Sequence, residues 1–106
     1  MTHDPILQRF LISCRPLGGK IQTVYLFGSR AKGTARPDSD YDVLLIVSDE
    51  FSLADKDALY DVVLDVLLDT GRLISLKVFP EQTFRQLCEL GTPFTTHVLK
   101  EGLKVG

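Results

Sequence analysis

Apolar residues recur along this chain with two different periods, and the switches between them mark out its elements. Ile6, Leu7, Phe10 and Leu11 fall on one helical face, which predicts a first helix over 5–14 with Pro5 in its first turn. Pro16, Gly18 and Gly19 end it. Residues 21–27, Ile-Gln-Thr-Val-Tyr-Leu-Phe, are rich in β-branched and aromatic side chains and predict a strand that stops at Gly28-Ser29. A short helix over 29–33 and a loop over 34–39 follow, with Pro37-Asp38-Ser39 as turn chemistry. Residues 42–47 are continuously apolar after Asp42, the mark of a central strand covered on both faces. Ser52 reads as an N-cap with Asp55 in the capping-box position, and Gly71 closes a long helix ending near Thr70. Its buried stripe is Leu59, Val62, Val63, Val66 and Leu67, with Tyr60 expected to pack beside it. A third strand is predicted over 73–79, a helix from Pro80 to about Leu90, and another from Pro93 to about Lys100. This order predicts an α/β fold: a small mixed sheet of three strands or slightly more, packed by helices, in one domain spanning 1–106.

Composition narrows the class without naming a function. The apolar share of 44% and charged share of 25% are those of an ordinary folded domain. A net charge of −2 gives no whole-molecule attraction to nucleic acid or an anionic membrane. No apolar run approaches the ~20 residues that span a bilayer. The opening Met1-Thr2-His3-Asp4-Pro5 has no basic segment followed by an apolar one, so a cytoplasmic location is expected. Cys14 and Cys88 lack metal or redox spacing and read as two reduced, half-buried thiols. His3 and His97 have no neighbouring ligand partner.

The informative stretch runs from Gly28 to Asp42. A strand that ends in glycine lets the backbone turn and approach a ligand closely. A helix that starts there aims its free N–H groups back at the turn and favours an anion. Ser29 adds a hydroxyl, and Arg30 and Lys32 add positive charge, so phosphate is the natural occupant. Asp40 and Asp42 stand two apart at the mouth of the next strand, leaving by the same face while Tyr41 leaves by the other as a packing residue. Carboxylates that close repel unless one is protonated or a cation lies between them. Hard oxygen ligands of this kind suit Mg²⁺ together with phosphate oxygens. Taken singly, Gly-Ser-Arg is an ordinary strand-ending turn and Asp-x-Asp an ordinary loop cap. Set on adjacent strand ends, they make a site for a Mg²⁺-bound nucleoside triphosphate such as ATP.

At these residues the chain resembles the minimal nucleotidyltransferases of the DNA polymerase beta-like superfamily, in particular their MntA-like antitoxin type. The signature is Gly-Ser, ten residues, then Asp-x-Asp, met here by Gly28-Ser29, Arg30 through Ser39, and Asp40-Tyr41-Asp42. Thr92-Pro93-Phe94 through Lys100-Glu101-Gly102 is similar to the family's closing helix. The resemblance implies a nucleotidyltransferase fold, with Gly28, Ser29, Arg30 and Lys32 holding nucleotide phosphates and Asp40 and Asp42 as catalytic ligands of two Mg²⁺ ions. It also implies a helical HEPN-type toxin as protein partner, one of whose tyrosines accepts the nucleotidyl group.

One position departs from the pattern. The family's third carboxylate, a metal ligand and general base on the next strand, falls at about Ser75. Serine is neither a general base at neutral pH nor a strong Mg²⁺ ligand. Glu50, beyond the far end of the Asp42 strand, stands roughly 25 Å away and cannot replace it. Two readings follow: an enzyme that transfers a nucleoside monophosphate to a hydroxyl of a partner protein or second subunit, or a weak or inactive binding module that neutralises or regulates a helical partner. The row Asp57, Asp61, Asp65 and Asp69 on the long helix is either a solvated face or a docking surface for a basic partner.

Overall fold

The middle strand of the sheet sets the plan of the molecule. The computed structural model describes residues 4–28 and 40–105. β2 (Tyr41–Val47) lies between β1 (Ile21–Phe27) and β3 (Ile74–Pro80), and β4 (Leu103–Lys104) extends the outer edge of β1, giving the order β3-β2-β1-β4. β1 is antiparallel to β2 and β4, whereas β2 and β3 run parallel. A parallel pair needs a crossover, which α2 (Leu53–Thr70) supplies. The other described α-helices are α1 (Pro5–Ser13), α3 (Glu81–Glu89) and α4 (Pro93–Glu101), and a short 3-10 turn, Arg15–Leu17, follows α1.

Every residue of β2 except Asp42 is buried, as expected for a strand covered twice. Tyr41, Val43, Leu45 and Val47 face one layer, where Leu7 and Phe10 of α1 and Leu59, Val63 and Val66 of α2 complete a core. Leu44 and Ile46 face the other, against Phe84 of α3 and Val98 of α4. The expected mixed α/β sheet is therefore present, one short strand larger than three.

Local signals in the sequence decide most boundaries. The Ser52 hydroxyl accepts from the Asp55 backbone N–H while the Asp55 carboxylate accepts from the Ser52 N–H, a reciprocal capping box. That backbone hydrogen bond, followed by one from Lys20, holds the Asp55 carboxyl below its usual range. At the other end of α2, Gly71 takes φ +71°, a left-handed conformation that L side chains adopt only with strain. Two expectations shift. Pro80 closes β3 and serves as the N-cap position of α3 rather than opening the helix. Tyr60 is not packed but half exposed. The helix expected over 29–33 and the loop over 34–39 lie outside the described residues. Cys14 is buried and Cys88 half-buried, both free, and burial pushes the Cys14 thiol up to about 11.

Replacing Ser52 by Ala removes one arm of the capping box and should cost about 1 kcal/mol. Thermal unfolding followed by circular dichroism should then show a midpoint lower by roughly 4–8 °C, the shift such a loss produces in a domain of this size.

Candidate active site at the mouth of β1 and β2

Register brings the two halves of the motif together. Phe27, the last residue of β1, pairs with Asp42 near the start of β2, so Gly28 leaves the sheet beside that carboxylate. Gly28 adopts φ +74°, and a Cβ built on it would run into Oδ2 of Asp42. Only glycine lets the chain turn here without displacing the acid. Asp40 is exposed at the strand entrance, and by the alternation of an extended chain it shares a side with Asp42. Ser29, Arg30 and Lys32 lie outside the described residues.

Tyr41 holds this entrance from the opposite face. Its ring is buried in the α1/α2 layer, its hydroxyl donates to Oδ2 of Asp4 at 2.6 Å, and its backbone N–H donates to the Leu73 carbonyl. The other oxygen of Asp4 accepts from the Ile6 and Leu7 backbone N–H groups and caps α1. One acid therefore joins the start of α1 to the start of β2. With Tyr41 fixed inward on one side, Asp42 must emerge on the other.

That side carries a distinct charge pattern. Burial raises the Asp42 carboxyl above its ordinary value, the Asp40 charge raises it further, and Lys77 opposes both. Asp42 is in register with Ser75 on the parallel strand β3, so Ser75 holds the position where a third acid was expected. Two residues on, Lys77 extends from the same face, its Nζ 5.9 Å from the centre of the Phe94 ring. Phe94 of α4 also meets Phe27 edge-on with centroids 5.6 Å apart, and Phe79 at 6.0 Å. The first turn of α4 thus braces the strand end that precedes Gly28. Among the described residues no three acids, histidines or cysteines gather into a metal-binding cluster. The donor set that is present, an exposed and a half-buried carboxylate pressing on one another beside a sharp backbone turn, fits one hard divalent cation.

Lys77 and Phe94 were not assigned to the site from sequence. The signal for Lys77 was available: it stands two residues beyond Ser75 and so shares its face. Phe94 lies far along the chain and reaches the site only through helix packing. His97 sits within α4 with Nδ1 3.1 Å from Glu101, remote in role from any ligand set. Glu50 follows the far end of β2 and lines a different cleft with Gln22, Asp49 and Arg85.

Two outcomes test this geometry. Gly28→Ala should destabilise the fold by about 1–2 kcal/mol through the left-handed backbone alone. Because the new Cβ also meets Asp42, adding Asp42→Ala should return part of the loss, with a coupling of at least about 0.5 kcal/mol in a denaturant double-mutant cycle; simple additivity would separate the two residues. The second outcome concerns pH. The folded pKa of Asp42 is raised above 3.8, so the folded chain binds this proton more tightly than the unfolded one, and stability is lost as pH rises from that value through the raised one. In metal-free buffer, Asp42→Asn should melt a few degrees above the wild type at neutral pH. The difference should close as pH falls into the ordinary carboxylate range, which differential scanning fluorimetry across pH will read.

A family model described as polymerase beta nucleotidyltransferase matches residues 15–104. The chain is 32% identical over 103 residues to a candidate protein adenylyltransferase of Methanocaldococcus jannaschii, covering 96% of each. Among solved structures, a candidate nucleotidyltransferase from Sulfolobus solfataricus has a similar fold, with TM-score 0.59 and 17% identity over 93% of this chain and 75% of that one. A toxin–antitoxin complex with AMP-PNP follows at TM-score 0.56 and 19% identity, covering 92% of this chain and 69% of that one. A mutant of the toxin–antitoxin MntA-HpeT gives TM-score 0.56 at 17% identity, with the same coverage of 92% and 69%. With the family model spanning most of the chain and a relative matched nearly end to end, this protein belongs to the polymerase beta nucleotidyltransferase family.

Proposed function

We propose that the chain is a Mg²⁺-dependent nucleotidyltransferase that moves a nucleoside monophosphate, adenylyl from ATP for preference, onto a hydroxyl of a partner protein. The observation that carries this is the meeting of Gly28 and Asp42, a phosphate-type turn and a metal-type carboxylate at one mouth. The name of the 32% identical relative supports a protein as acceptor. The toxin–antitoxin names of two structural neighbours support an antitoxin role, and the sequence resemblance suggests a helical HEPN-type toxin as its target.

In this reading Asp40 and Asp42 would hold the metal, and Gly28 would admit the triphosphate backbone. Ser29, Arg30 and Lys32 would hold its phosphates. Bound there, Mg²⁺ supplies charge neutralisation for the transferring phosphoryl group and for the leaving pyrophosphate. The acceptor oxygen would bond to the α-phosphorus, its proton passing to water, as the bond from the α-phosphorus to the oxygen shared with the β-phosphate breaks and pyrophosphate leaves. The carboxylates would hold the cation and not touch the triphosphate, which their charge repels, and the half-buried setting of Asp42 would strengthen that hold once water is displaced. Asp40, Asp42 and Lys77 place two negative charges and one positive on this side, which favours one tightly held divalent ion over two.

The same face supplies the reason for a second reading. Ser75, in register with Asp42, offers no base for the acceptor proton. A nucleotide-binding module that neutralises its partner by occupation, with transfer slow or absent, follows from that single replacement.

Incubating the protein with Mg·ATP and a co-expressed helical partner, then weighing both chains, separates the readings. An added nucleotidyl mass that vanishes in Asp40→Ala/Asp42→Ala supports transfer. A stable complex without added mass, unchanged in that variant, supports the module. If the deficit at position 75 limits catalysis, Ser75→Asp should raise the labelling rate at least about tenfold, the scale of a positioned general base.

A further inference from the structure

Helix α2 carries a second apolar face outside the core. Its buried stripe is Leu59, Val63 and Val66. Leu53 is 76% exposed, Tyr60 45%, Leu64 51% and Leu68 74%. These four stand seven, four and four residues apart, so they line one side of the helix for most of its length. One residue further round are Asp57, Asp61 and Asp65, also four apart and all exposed. The acids at the helix ends are engaged, Asp55 with Lys20 at 2.9 Å and Asp69 with Arg9 at 2.5 Å. Among the described residues the three between them have no ion pair. A continuous apolar stripe with an uncompensated acidic border is not the surface of a helix that faces only water.

We infer that the Leu53/Tyr60/Leu64/Leu68 face of α2 is a docking surface for an amphipathic helix of a partner protein, whose apolar stripe is flanked by lysine or arginine. Charge selects the occupant. Phosphate-rich nucleic acid and anionic membranes are repelled by the aspartate row. A second copy packed antiparallel would set aspartate row against aspartate row. A basic helix answers both features at once, apolar stripe on apolar stripe and cation on carboxylate. The surface also lies away from the nucleotide mouth. α2 packs on the Tyr41, Val43 and Leu45 face of β2, whereas Asp42 emerges with Leu44 and Ile46 on the other. A partner seated on α2 leaves Gly28 and Asp42 open, so the inference stands or falls independently of nucleotidyl transfer.

The test uses the whole protein and a fluorescein-labelled helical peptide as long as α2, 18 residues, with a leucine stripe bordered by lysines. A twin peptide carries glutamate in place of each lysine. Fluorescence anisotropy should show binding of the lysine peptide and none of its twin. Leu64→Ser/Leu68→Ser, both surface changes whose folding circular dichroism will verify, should weaken binding at least about tenfold. Asp61→Asn/Asp65→Asn should weaken it severalfold and flatten its dependence on NaCl between about 50 and 500 mM. Asp42→Asn should bind as the wild type does. Equal binding of both peptides, no binding of either, or binding undiminished by Leu64→Ser/Leu68→Ser overturns the inference. So does a wild-type dimer in light scattering that those serines dissolve, which would assign the face to a second copy.

Discussion

The alternation of β2 between two buried layers is the constraint on which the rest depends. An extended strand sends successive side chains to opposite faces, and a slip of one residue would exchange them all. Here the α1/α2 layer takes Tyr41, Val43, Leu45 and Val47, and the α3/α4 layer takes Leu44 and Ile46. A one-residue slip would drive Asp42 into the larger core and expose Tyr41. Burying an unpaired carboxylate costs far more than any single apolar contact returns, so the register is fixed from both sides. The Tyr41–Asp4 hydrogen bond reinforces it at the entrance and ties the same point to the cap of α1. The position of Asp42 beside Gly28 is therefore a consequence of core packing, not of any contact made within the site.

Packing that forces an acid to this place also loads it with unfavourable electrostatics. Asp42 is half-buried and its carboxyl is raised, first by burial and then by Asp40. Nothing in the core requires Asp40, which is exposed and outside the strand. A like charge kept next to a partly desolvated one destabilises the fold, a cost typical of places that bind something. Lys77 offsets part of it from β3 while its chain end lies near the Phe94 ring. Its side chain is exposed, so water screens the attraction and the compensation is incomplete.

The elements that were legible in the sequence are those specified by neighbours in the chain. Ser52, Asp55 and Gly71 bound α2 because caps act over three or four residues. β2 was legible because burial on both faces leaves a run with no polar interruption. Ser75 was placed at the third-carboxylate position by the family resemblance, and the register sets it opposite Asp42. The two-residue β4 was not legible, since Leu103 and Lys104 are exposed and only pairing with Tyr25 and Leu26 makes them a strand. Phe94 was legible as part of a helix but not as a brace for Phe27, because that contact joins residues distant in sequence. Tyr60 misled for a related reason: a wide apolar arc on a helix cannot tell which part of it the core will use.

That last ambiguity bears on how the two ends of the α2 argument meet. The core needs only a narrow part of the arc, because the sheet offers α2 one flat face and α1 closes one side of it. Leucines beyond that limit belong to neither core cluster and keep half or more of their surface exposed, so this fold's own burial gives them little. Scattered exposed leucines need no explanation. Three leucines and a tyrosine aligned on a single helix beside an uncompensated acidic row do, because charge and apolar surface then vary along the same direction. A surface ordered in that way can discriminate among partners by charge as well as bind them by contact, and solubility alone would demand neither.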